Sequence, residues 1–337
     1  MRLLCTTLLA PFALGSFVLL ADGCVGDTPA STSDASTVDA NGSDVVADAP
    51  DVAPPADCDP KKPFGPPVLV PELSSSLDET GVRLSWDERT VYFNRPSSPG
   101  GKNQLWYATR SDRSAPFAAP TPLANVGAPT ANLLHPMVSK DDKTLFFASD
   151  EGDAAVATTN LFSATRPDGG SPAASPFSSG QRIAALGGVN VFAVTPYLSA
   201  DGTELFYAEA SDAGGLHLWR AVAPSFSSNA LVAELDAPTA TTRFPVLSAD
   251  GLTIYFDSNR PGGAGGLDIW FATRASTSAA FGTPVNASTS SPALNSAGDD
   301  NPTWISPDGC RLWLTSTRDT LDAGTTNRDV YVATRPK

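Results

Sequence analysis

The chain predicts an all-β fold, a five-bladed β-propeller with four antiparallel strands per blade; six blades is the alternative count. Three observations predict it. A Ser-x-Asp turn recurs five times, at Ser85-Trp-Asp87, Ser139-Lys-Asp141, Ser199-Ala-Asp201, Ser248-Ala-Asp250 and Ser306-Pro-Asp308, spaced by 54, 60, 49 and 58 residues. Each turn is followed by a short aromatic or β-branched strand and, after a variable loop, by a closing strand, the period-two pattern of half-buried sheet. Finally, the strands are offset by one between the two ends of the chain, which a closed ring resolves.

The strands after the turns are Val91-Tyr-Phe93, Leu145-Phe-Phe147, Leu205-Phe-Tyr207, Ile254-Tyr-Phe256 and Leu312-Trp-Leu314. The closing strands run up to Arg110, Arg166, Ala221, Arg274 and Arg335, four of them ending in Ala-Thr-Arg. A weaker fourth element opens on a Phe: Phe117, Phe177, Phe226 and Phe281. A fifth copy, Phe64-Gly-Pro-Pro67, stands ahead of the first module, while the last module ends without one. The segment Phe64–Leu73 is therefore expected to complete the final blade beside Asp329–Thr334. A lone blade cannot bury both faces, so the units must stack around an axis.

The module Phe244–Arg274, FPVLSADGLTIYFDSNRPGGAGGLDIWFATR, shows the unit most fully. It resembles the WD40-like (PD40) repeats of TolB-type β-propellers, S-x-D-G followed by Y-F-x-S-x-R, a Gly-rich loop and D-I-W, and Ser248–Trp270 follows that pattern almost throughout. The fifth module keeps Ser306-Pro-Asp-Gly309, Arg318 and Asp329-Val-Tyr331; the second departs most, with Lys140-Asp-Asp142 in place of the Asp-Gly turn. The resemblance spans about residues 64–337. It implies the fold and a non-catalytic binding role, and propellers host many unrelated activities.

Ahead of the repeats the chain changes character. Residues 1–23 carry Arg2 and then an apolar run, Leu3–Ala21, which reads as a signal peptide. Ala21-Asp-Gly-Cys24 resembles a bacterial lipobox, which would make Cys24 the lipidated first residue of a membrane-anchored lipoprotein; a cleaved secreted protein or an uncleaved anchor are the other readings. Residues 24–60 read as a disordered acidic tether. Val25–Pro60 holds eight Asp and no Lys or Arg, a composition too polar to offset ordering entropy. Those eight supply more than half of the net charge of −14, so the domain at 61–337 is only mildly acidic.

Four cysteines are present. Cys5 leaves with the signal and Cys24 takes the lipid, leaving Cys58 and Cys310 in an oxidising compartment where pairing is the default. Both fall on one rim at the seam of the ring, and a Cys58–Cys310 disulfide is expected, with two free thiols as the alternative.

Chemistry-bearing motifs are few. Two His, His135 and His217, and no spare Cys leave no zinc set, and no P-loop, GxSxG or HExxH occurs. No cofactor and no metal are expected. With 22 basic against 36 acidic residues a phosphate-binding face is disfavoured, so no nucleic acid is expected. The Ala-Thr-Arg arginines read as strand-end salt-bridge partners. The residues expected at the channel mouth, where the innermost strands begin, are Asp78, Glu79, His135, Thr195, Arg243, Asp299 and Asp300. Two functions follow: a monomeric cell-envelope scaffold gripping a protein or glycan, and a glycoside hydrolase with Glu79 and Asp300 as its carboxylate pair. The sequence leans away from an enzyme, because Trp106, Trp219, Trp270 and Trp313 fall at strand positions of the inter-blade core rather than in a cleft; Trp304, on an inner strand, is the exception.

Overall fold

Five identical turns organise the chain. In each, the Ser hydroxyl donates to the Asp carboxylate at 2.5–2.6 Å and accepts the N–H five residues on at 2.9–3.0 Å. The residue after Asp is left-handed, which suits Gly202, Gly251 and Gly309. Blades 1 and 2 place Glu88 (φ 58°) and Asp142 (φ 61°) there instead. Their carboxylates grip arginines: Arg311 is bidentate on Glu88 at 2.9 Å, and Arg166 lies 2.7 Å from Asp142. Ion pairing offsets the strained backbone.

The computed structural model describes residues 58–152, 158–186, 191–211, 214–318 and 327–337. The signal segment 1–23, the lipobox Cys24 and the tether as far as residue 57 lie outside the described residues. In chain order, β1 is Val68–Leu69. Blade 1 is β2 (Thr80–Leu84), β3 (Thr90–Pro96), β4 (Asn103–Thr109) and β5 (Thr121–Pro122). Blade 2 is β6 (Leu133–Val138), β7 (Thr144–Ser149), β8 (Asn160–Thr165) and β9 (Gln181–Arg182). Blade 3 is β10 (Ala193–Leu198), β11 (Glu204–Ala210), β12 (Leu216–Val222) and β13 (Asn229–Leu231). Blade 4 is β14 (Thr242–Leu247), β15 (Thr253–Ser258), β16 (Asp268–Thr273) and β17 (Val285–Asn286). Blade 5 is β18 (Asp300–Ile305), β19 (Arg311–Ser316), β20 (Asp329–Thr334) and, outermost, β1.

Every strand pair is antiparallel, and the inner strands touch in the cyclic order β2, β6, β10, β14, β18 and back to β2. The fold is a five-bladed β-propeller. Its seam is the one expected: Val68 pairs with Val332 and Leu69 with Tyr331. The Cys58–Cys310 disulfide is formed beside it, with Cα atoms 5.6 Å apart, and the Asp59 N–H donates to the Pro336 carbonyl at 3.0 Å. The end of the tether thus lies on the blade it helps to close. The only helical residues among those described are three short 3-10 turns.

The core lies between blades. Val91, Leu145, Leu205, Ile254 and Leu312 are all fully buried, as are the small Ala108, Ala164, Ala221, Ala272 and Ala333 paired with them across the sheet. Trp270 and Trp313 are buried, and Trp106 and Trp219 pack half-exposed against the same core.

The Ala-Thr-Arg arginines do more than pair with acids. Arg110, Arg166 and Arg274 donate from Nε to the carbonyl of the turn residue at 2.8, 2.6 and 2.8 Å, and each lies flat on the Phe of its own fourth element, 4.3–4.5 Å from the ring centroid. Arg335 stacks on Phe64 at 4.1 Å in the same way. The recurring Phe is therefore the platform on which the recurring Arg rests. Three arginines also meet carboxylates, at Glu88, Asp142 and Glu204. Blade 3 has Ala223 in that place, and its Phe226 packs on Phe146 of blade 2 instead.

Candidate functional site

Each inner strand of blades 1 to 4 carries a bulge just after it begins, two residues facing one on the neighbouring strand. The bulged residue is left-handed: Gly81 (φ 63°), His135 (φ 52°), Thr195 (φ 54°) and Phe244 (φ 51°). Strained backbone at non-glycine residues, repeated around an axis, is the kind of geometry that functional sites retain. The bulged N–H groups are held by neighbouring blades, that of His135 by Asn94 at 2.9 Å and that of Phe244 by Thr195 at 3.3 Å.

These bulges turn side chains onto the axis. The rings of His135 and Phe244, from blades 2 and 4, meet edge to face at 4.9 Å. Desolvation, with Arg243, Arg83 and Arg328 nearby, pushes the His135 imidazole down to about 3, so it is neutral at physiological pH. One step below, Arg83, Met137, Tyr197, Val246 and Trp304 line the axis and are all nearly inaccessible. Arg83 reaches across to the Tyr197 ring (5.2 Å), and Tyr197 tilts against Trp304 (6.4 Å).

Around the mouth a polar chain links three blades. Arg243 donates to Asp257 at 3.0 Å; Asn301 donates to the same carboxylate at 2.5 Å; Arg328 donates to Asn301 at 2.9 Å and to Asp299 at 2.7 Å, and its backbone N–H donates to Asp78 at 2.8 Å. Asp78 and Asp299 thus sit together on Arg328, partly open to solvent. Asp257 is fully buried, and desolvation raises its carboxyl above the usual range.

Glu79 and Asp300 stand elsewhere than the mouth. Both are fully buried at the repeat position that Leu133 and Ala193 occupy in blades 2 and 3, which faces the packing within the ring and not the axis. Arg318 lies 2.6 Å from Asp300, which also accepts from Ser316 at 2.6 Å and from the Ser296 N–H at 2.5 Å. Arg95 approaches Glu79 at 3.7 Å, and Ser75 donates to it from N–H and hydroxyl. Burial pushes the Glu79 carboxyl up to about 7. The expected site therefore divides: Asp78, His135, Thr195, Arg243 and Asp299 gather at the axial mouth, whereas Glu79 and Asp300 are tied into their own blades. Sequence reasoning missed Arg83, Asp257, Asn301 and Arg328. Arg83 alone left a signal, as a charge where the other four blades carry an apolar or aromatic residue.

On the opposite rim the turns frame two grooves. One, of about 420 Å³, lies between the turns of blades 2 and 3 around Lys140 and Ala200; another, of about 330 Å³, lies between those of blades 4 and 5 around Tyr255 and Arg335. Among the described residues no group of three or more His, Cys, Asp or Glu is arranged to hold a metal ion.

No family model and no curated protein matches the chain. Solved structures do. A GH62 hydrolase in complex with xylotriose is 12% identical with a TM-score of 0.50, over 81% of this chain and 95% of that one. The GH62 α-L-arabinofuranosidase domain of Coprinopsis cinerea is 13% identical (TM-score 0.49, 81% and 96%). A TolB protein from Agrobacterium tumefaciens is 16% identical (TM-score 0.47, 77% and 80%). At such identities the likeness is one of fold.

Proposed function

We propose that this chain is a cell-envelope lipoprotein whose propeller grips a protein or glycan at the axial mouth without transforming it. The observation that supports this most is the state of the carboxylates. Asp257 is engaged by Arg243, Asp78 and Asp299 by Arg328, Asp300 by Arg318 and Glu79 by Arg95. Glycoside hydrolysis needs two carboxyls that reach one sugar, and the sequence's best pair is buried inside two blades. The half-exposed Arg243, Arg328, Asp78 and Asp299 form instead a polar rim suited to hydrogen-bonding a polar partner. Lipid on Cys24 would hold the chain at the membrane, in the periplasm or at the cell exterior.

The test is capture of partners from envelope extracts by the full chain tagged at its C terminus, with identification by mass spectrometry. Neutralising the more exposed rim members, Asp78→Asn and Asp299→Asn, should lose those partners while the fold persists. Loss of membrane retention in Cys24→Ser checks the anchor. The glycoside hydrolase reading is favoured by one observation, the raised carboxyl of Glu79, which is what a general acid requires. Hydrolysis of a glycan panel by the wild type, abolished in Glu79→Gln, would put that reading first.

A further inference from the structure

The propeller axis holds a cation for which the described residues supply no counter-charge. Arg83 is 1% exposed, on β2 at the position where the other blades place Met137, Tyr197, Val246 and Trp304. Its Nη2 donates to the Pro245 carbonyl at 3.3 Å, its guanidinium faces the Tyr197 ring, and its Nη1 is buried without a partner. Other deeply set arginines have acids: Arg110 meets Glu88, Arg166 meets Asp142, Arg274 meets Glu204 and Arg318 meets Asp300. Arg83 meets none, and among the described arginines it is the most enclosed.

Two further observations bear on this cation. The Trp304 Nε1, whose ring packs on the same Tyr197, is also a buried donor without an acceptor. The neighbouring cations at the mouth, Arg243 and Arg328, are already neutralised by Asp257, Asp78 and Asp299, so none of those acids is left to serve Arg83. Desolvation lowers the Arg83 guanidinium only to about 10, which leaves it charged at neutral pH. A buried guanidinium is retained when an opposite charge and hydrogen-bond acceptors accompany it, and orphaned buried donors are rare in native proteins.

We propose that the axis is an anion-binding site, in which Arg83 Nη1 donates to a single small anion of halide to carboxylate size. The site holds whether or not the mouth above it grips a partner. The probes are bromide and acetate, which separate an inorganic from a carboxylate source, each exchanged for gluconate at constant ionic strength.

Crystals of the full chain soaked in bromide should give an anomalous peak within hydrogen-bond distance of Arg83 Nη1. In solution the melting temperature should climb with the logarithm of bromide or acetate concentration, as stabilisation by a native-state ligand requires, and Arg83→Met should abolish that dependence. A bromide peak elsewhere, an axis free of bromide in a protein that acetate does not stabilise either, or equal anion dependence in Arg83→Met and wild type would overturn the site. Should Arg83→Met fail to fold, the anomalous map and the wild-type titration decide the matter between them.

Discussion

Glu79 stands at the start of an inner strand yet is fully buried. Burial raises its carboxyl from 4.5 to about 7, against the opposing pull of the Ser75 hydrogen bonds and Arg95. The folded protein therefore holds the Glu79 proton through a pH range in which the unfolded chain has released it. Stability from this group falls as pH rises from about 4.5 to about 7, by roughly 3 kcal/mol in all. Urea unfolding of wild type and Glu79→Gln across that range should show the wild type losing stability relative to the variant; a constant difference would place Glu79 in contact with water. Asp300 makes the complementary case. Removing its charge leaves Arg318 buried against neutral groups, so Asp300→Asn should cost about 3 kcal/mol. A catalytic Asp300 would give the reverse result, with stability kept and a reaction lost.

At the scale of the element, the blade is stitched by one arginine. Arg274 donates to Gly251 at 2.8 Å, to Thr277 at 2.7 Å and to Glu204 of blade 3 at 3.2 Å, while lying on Phe281. Lysine has neither the fork nor the flat face, so Arg274→Lys should lower stability by about 2 kcal/mol, read from the denaturant midpoint. A change within a few tenths of a kcal/mol would make the stack ornamental. This clamp also shows how far the sequence could be read. The recurrence of Arg and of Phe was visible, as were the turns, the strands and the borrowed outer strand, because each repeats at a fixed place in the module. Their contact was not, since the two residues are separated by a loop of variable length. The mouth was half legible for a related reason. Taking every residue at the start of an inner strand takes neighbours that point opposite ways, so Asp78 and Asp299 reach the mouth while Glu79 and Asp300 beside them turn into their blades. Arg328 gave no warning because its place ahead of the closing strand, held by Leu267 in blade 4, carries no recurring residue type.

For the molecule as a whole, the seam between the chain ends decides whether the ring stays shut. The outer strand β1 pairs through only two residues. It is reinforced by backbone hydrogen bonds from Gly65 to Thr334 and from Val70 to Val330, both at 2.8 Å, and by Phe64 beneath Arg335. The disulfide closes this seam across a sequence separation of 252 residues. A cross-link over so long a loop removes much of the unfolded chain's freedom, worth about 5 kcal/mol in the chain-entropy account. Cys58→Ser should therefore remain a folded monomer with a lower denaturant midpoint, because β1 still covers β20. Deleting the chain through Leu73 is a different injury. It uncovers the whole edge of β20 and leaves the Arg335 clamp without its ring, and an unpaired edge invites strands from other copies. That truncation should elute from size exclusion as oligomers or aggregate where Cys58→Ser elutes as one copy. A truncated chain that stayed monomeric and as stable as Cys58→Ser would mean the ring is held by inter-blade packing alone, with the borrowed strand a passenger.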